Sequence, residues 1–64
     1  MCQSNLFTIE DGRRDLILKD VADVQVAGDR LTIKPLIGPP ISLAARIQRI
    51  DLMKHEIVVE KIGD

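Results

Sequence analysis

ISLAARIQRIDLM, residues 41–53, is the stretch on which the fold turns. Ile41, Leu43, Ala45 and Ile47 alternate with Ser42, Ala44, Arg46 and Gln48, the period of a strand with one buried face. Ile50 and Leu52 then fall an odd number of residues from Ile47. A strand that keeps its core side inward past this point needs a bulge or sharp bend near Arg49. A helix over residues 43–53 competes, because Leu43, Ile47 and Ile50 also share a helical stripe. Small closed barrels bend their strands in this way, and the strand reading is adopted.

Working outward, turn signals stand at Asp11-Gly12, Gly28-Asp29, Gly38-Pro39-Pro40 and around Met53-Lys54-His55, with short β-branched runs between them. That rhythm predicts a β meander. Residues 3–10 turn at Asp11-Gly12 into residues 13–19, a hairpin with Leu16 and Leu18 on one face. Residues 21–26 put Val24 and Val26 together. After Gly28-Asp29, Leu31 and Ile33 point inward while Thr32 and Lys34 point out, until Pro35 removes a ladder donor. In the last run, residues 56–62, Ile57 and Val59 share one face and Val58 takes the other. Phe7, Ile17 and Val58 are thus apolar at the wrong parity, and they read either as singly exposed residues or as a dimer surface.

Sixty-four residues allow one domain, spanning 1–64, and a chain this short leaves much of its surface in water. Apolar residues make up 45%, almost all aliphatic, with Phe7 the single aromatic. A core of this size supplies only about 3–5 kcal/mol, so a disulfide, a metal or an oligomer interface is expected to complete the fold. Cys2 is the sole cysteine, which rules out a disulfide within the chain and makes a homodimer the leading supplement. The formal charge of −1 is a poor match to a polyanion, and without Tyr or Trp the stacking platform of single-strand RNA binders is missing. Nucleic acid is therefore not expected as a partner, although Arg13, Arg14, Arg46 and Arg49 would form a patch if their strands lay side by side. No apolar run approaches a membrane span and no signal peptide is evident, so membrane association is not expected and a cytoplasmic location is.

No enzyme is expected. A pairing of Cys2 with the only histidine, His55, is conceivable but places a nucleophile at a chain end with no oxyanion-hole loop. The aspartates sit at turns or outward positions, and the scattered glycines make no phosphate loop. Cys2 is the distinctive group. Beside the amino terminus, a cysteine offers its thiolate, its own amide nitrogen and a nearby amine, closing small chelate rings from one residue. Thiolate and nitrogen donors in a plane suit nickel(II) or copper(II). One terminus falls short of four donors, and a two-fold dimer completes two sulfurs and two nitrogens.

With its Met1-Cys2 start, the strand-like residues 6–10, the Asp11-Gly12 turn and the closing IDLMKHEIVVE of residues 50–60, the chain resembles the CooT family of small nickel-binding accessory proteins of carbon monoxide dehydrogenase maturation. The resemblance implies an all-β fold, a small SH3-like barrel of five to seven short antiparallel strands. It implies a homodimer that holds nickel(II) at Cys2 and works with carbon monoxide dehydrogenase or its maturation factors. It offers no counterpart for His55, which stays open between a solvated turn residue and a further ligand. The alternative function is an interaction module or RNA-binding protein in which Cys2 is incidental.

Overall fold

The computed structural model of the chain describes residues 3–62. Five strands follow one another: β1 Ser4–Glu10, β2 Arg13–Ala27, β3 Arg30–Pro35, β4 Ile41–Asp51 and β5 Glu56–Lys61. They close into a barrel in the order β1-β2-β3-β4-β5. The competing helix over residues 43–53 is not formed, and none of the described residues is helical. Among the described residues no helix is long and apolar enough to cross a membrane.

The all-β barrel has the expected architecture, with two refinements. Four of the pairings are antiparallel, but β1 and β5 pair in parallel. Strand count dictates this: in a meander of five, the first and last strands run the same way, so the pairing that closes the ring must be parallel. The second refinement is length. Residues 13–19 and 21–26, read as separate runs, are one 15-residue strand, β2, whose first half pairs with β1 and whose second half pairs with β3.

The bend in β4 lies where parity demanded it. Ile47 pairs with Val59 and Arg49 with Val58, so Gln48 is the extra residue of a bulge. Ile50 thereby returns to the inner register opposite Ile57, although at the barrel end it stays largely exposed. β2 carries further irregularities. Phe7 pairs with Leu16 and Leu6 with Leu18, leaving Ile17 unmatched. Leu16 and Leu18 therefore do not share a face, contrary to the plain alternation: Leu18 packs against the core and Leu16 stands outside. Val24 and Val26 keep the expected common face, since the register against β3 runs unbroken through them, but Val24 packs against the core while Val26, towards the strand end, is largely exposed.

The core is aliphatic. Leu6, Leu31, Ile33 and Val59 are its largest fully buried side chains, joined by Val21, Ala45 and Ile57. Among the described residues Thr8 is the one buried polar residue, and none of their buried side-chain polar atoms lacks a hydrogen-bond partner. Outside the barrel, Phe7 stands beside Val58, and the Arg14 guanidinium lies 4.3 Å from the Phe7 ring centroid. Arg14 also reaches Glu56 at 3.0 Å. Val58, although outward, is only 6% exposed.

Leu31→Ala should cost about 2–5 kcal/mol, as deletions of buried leucine do, and so remove most of a small domain's stability. Val26→Ala, at a position 60% exposed, should change the urea midpoint much less. Equal midpoints for the two variants would contradict the placement of the core.

Candidate functional site

Cys2 lies outside the described residues, so the geometry that bears on it is that of the barrel end where β1 begins. The parallel register puts Asn5 opposite Glu56, and the Asn5 N–H donates to the His55 carbonyl at 2.8 Å. The start of the chain therefore runs past the turn between β4 and β5. His55 is half-buried and adopts a left-handed conformation, φ 56°, at the end of that turn. The only histidine is thus brought to the strand into which Cys2 leads, through its backbone. Sequence reading had placed His55 in a turn but had no signal for this contact.

The same asparagine holds a second point. The Asp20 N–H donates to Asn5 Oδ1 at 3.3 Å, and the Asp20 carbonyl accepts from the Leu36 N–H at 2.8 Å. Asp20 is itself left-handed, φ 54°, a region that short polar side chains tolerate better than most non-glycine residues do. It sits in β2 where the register slips between Leu6 opposite Leu18 and Ser4 opposite Val21. Asn5 accordingly ties the start of β1 to the corner of β2 and, through Asp20, to the loop after β3.

The turn after β4 is shaped by Asp51. Its Oδ1 accepts from the Met53 N–H at 3.1 Å and the Lys54 N–H at 3.0 Å, and its Oδ2 accepts from Arg49 Nη2 at 3.0 Å. The Lys54 amide, assisted by the positive charges of Arg49 and Lys54 and by the Met53 amide, holds the Asp51 carboxyl below its ordinary value despite an opposing effect of desolvation. Leu52 and Met53 on this turn are 77% and 90% exposed, and Leu36 and Ile37 of the loop after β3 are exposed as well. Both segments connect through the Asn5 hydrogen bonds, so this end of the barrel carries an apolar rim.

The arginines do not form the patch that adjacency would have made. β1 and β5 lie between the first half of β2 and the second half of β4. Arg13 faces Asp15 at 3.7 Å, Arg14 pairs with Glu56 and Arg49 with Asp51, while Arg46 stands opposite Glu60 in the ladder. A depression of about 340 Å³ lies near the turn between β1 and β2, lined by Ile9, Glu10, Asp11, Gly12, Gln48, Glu60 and Lys61. No group of three or more His, Cys, Asp or Glu among the described residues could hold a metal ion. Any metal reading therefore rests on Cys2.

Comparison with known proteins gives concordant results. The model of a family described as CooT, CO dehydrogenase accessory protein, matches residues 1–60. An uncharacterized protein of Methanothermobacter thermautotrophicus is 35% identical over 60 residues, covering 94% of this chain and 89% of that one. A crystal structure of a candidate CooT from Carboxydothermus hydrogenoformans superimposes with a TM-score of 0.88 over 97% of this chain and 100% of its own. At 22% identity that last likeness speaks for the fold alone.

A folded-state value depressed at Asp51 adds stability that is complete above the ordinary value of 3.8 and is lost as pH falls through the lower folded value. Urea midpoints measured from neutral pH down through the carboxylate range should fall less steeply for Asp51→Asn than for the parent chain. Identical slopes would show that the turn does not depend on the ionised carboxylate.

Proposed function

We propose, from the fact that this chain belongs to the CooT family of CO dehydrogenase accessory proteins, that it is a nickel(II) carrier without catalytic activity of its own, serving the maturation of carbon monoxide dehydrogenase. The observation that carries the reading is the family match over residues 1–60, a span that includes the Met1-Cys2 start. Nickel is the cargo, held as one ion per homodimer in a square of two Cys2 thiolates and adjacent main-chain nitrogens. Donor counting supports the shared site: one terminus supplies too few protein donors, and a two-fold axis uses the same atoms twice.

The surface we assign to the dimer keeps only part of the expected one, drawn from Phe7, Ile17, Val58 and residues near the N-terminus. Val58 is buried and Phe7 half-buried beneath Arg14, and Ile17 is 41% exposed, whereas Leu36, Ile37, Leu52 and Met53 are 56–90% exposed at the end where β1 begins. A shared site at two Cys2 residues needs the two N-termini to meet, and an interface at this end satisfies both requirements. Residence in the cytoplasm goes with this reading.

The alternative of an RNA-binding module is disfavoured by the formal net charge of −1 and by the pairing of Arg13, Arg14 and Arg49, three of the four arginines of the expected patch, with carboxylates. Gel shifts with an oligonucleotide pool at physiological salt should show no complex. Salt-sensitive submicromolar binding would reinstate that alternative.

Nickel titration of the native chain, followed by calorimetry and by thiolate-to-metal absorption bands, should give one ion per two chains. Affinity should fall as pH drops below neutrality, because the thiolate must be deprotonated to bind. Nickel should also raise the unfolding midpoint, since it binds the folded form. Cys2→Ser should abolish binding and leave the barrel folded. Undiminished binding by that variant, or a light-scattering mass of one chain with nickel bound, would refute the shared site.

A further inference from the structure

We propose that the open edge of β2 over residues 13–16 docks an extended acidic segment of a partner protein, which joins the sheet as a further strand. The proposal depends neither on nickel nor on Cys2. From Arg13 to Leu18, β2 is laddered to β1 alone, and β3 joins it only from Val21 onward. Among the described residues no strand pairs with the other side of this half of β2. Leu16 is 47% and Ile17 41% exposed, so the edge also leaves aliphatic surface in water.

The hairpin that begins β2 decides which main-chain groups face outward. Glu10 and Arg13 flank a two-residue turn whose central residues are both left-handed, Asp11 at φ 53° and Gly12 at φ 77°. In such a hairpin the flanking pair exchanges main-chain hydrogen bonds, and bonded and unbonded pairs alternate from there. Thr8 and Asp15 are therefore the next bonded pair. Arg14 and Leu16, opposite Ile9 and Phe7, turn their N–H and C=O groups away from β1. The bulge at Ile17 ends this regular stretch, which confines pairing to residues 13–16.

Charge selects the occupant. Residues 13–19 carry three cations, Arg13, Arg14 and Lys19, and one carboxylate, Asp15, in a chain of formal charge −1. Arg14 is engaged by Glu56 at 3.0 Å, which leaves Arg13, 80% exposed in its side chain, and the exposed Lys19 to meet a partner. Asp15, 3.7 Å from Arg13, offsets one of these at most. Basic side chains and bulges are means by which sheet edges resist joining their own kind. Here they act against a second copy, which would bring the same cations alongside. A segment of opposite sign is attracted by those same groups. Arg14 and Leu16 share the outer face with Phe7, while Arg13 and Asp15 take the other. The segment that fits therefore alternates, with an acidic residue beside Arg13 and an aliphatic one beside Leu16. Main-chain bonds supply its affinity and these side chains its selectivity.

The probe is a short capped peptide alternating glutamate and valine, added to the metal-free full-length chain. Two control peptides carry lysine in place of glutamate, or N-methyl groups on the backbone nitrogens. Amide hydrogen exchange in the free protein should be fast at Arg14 and Leu16 and slow at Asp15, and the acidic peptide should slow the first two. Arg13→Glu combined with Lys19→Glu should weaken the acidic peptide about tenfold and shift the preference to the lysine peptide, as two cross-strand ion pairs turned to repulsion imply. Both positions are exposed, and an unchanged urea midpoint should show that the barrel is retained. Slow exchange at Arg14 and Leu16 in the free chain would show the edge to be closed already. No binding of the acidic peptide at millimolar concentration, or equal binding of either control peptide, would overturn the proposal.

Discussion

The parallel pairing of β1 with β5 is the constraint on which the rest of the molecule depends. It gives β1 a partner on both sides, so that Leu6 and Thr8 are enclosed between β2 and β5 and the two halves of the core become one. A 64-residue chain with an almost wholly aliphatic interior has little stability to lose, and an unclosed sheet would expose part of that interior. The same register has a second effect. By setting Asn5 opposite Glu56, it takes the start of the chain past the turn after β4, so the pairing that completes the core also locates the end from which the terminus departs.

Closing so few strands into a ring requires strong local bending, and the bulges supply it. In β2 the residues that reach the core are Leu18, Val21 and Val24, three apart rather than two. Slips in register on both sides of Val21 account for that spacing. The left-handed Asp20 lies in the first of these slips, and its two backbone bonds, to Asn5 and Leu36, show that the corner is held from outside the strand.

Not all of this was legible in the sequence. The bulge at Gln48 could be read because clean alternation on one side of it gives way to the opposite parity on the other. The irregularity at Ile17 could not, since Leu16, Ile17 and Leu18 are all apolar and any two of them could have pointed inward. Residues 13–19 and 21–26 looked like two strands because Asp20 breaks the apolar run, whereas in the structure it marks a bend in one. The parallel closure followed from strand count, but only once the count was known. At the candidate site, the chemistry of Cys2 was legible from residue type and position. The bonding of Asn5 was not, because two of the groups involved, the His55 carbonyl and the Asp20 N–H, belong to the backbone and leave no trace in composition.

The distribution of charge and apolar surface bears on what kind of partner such a barrel can meet. Exposed ion pairs of the Arg14–Glu56 type contribute only about 0.2–1 kcal/mol each, so their weight in stability is slight. Their larger effect is to neutralise the sheet faces, which makes long-range attraction to a polyanion weak. Leu36, Ile37, Leu52 and Met53 are different, because covering them carries no cost of stripping water from a charge. On the nickel reading, this arrangement separates two demands. The described interior is closed by aliphatic packing, and β1, the strand that follows Cys2 in the sequence, begins at the end that carries the apolar rim, so a site before β1 would not require the core to open.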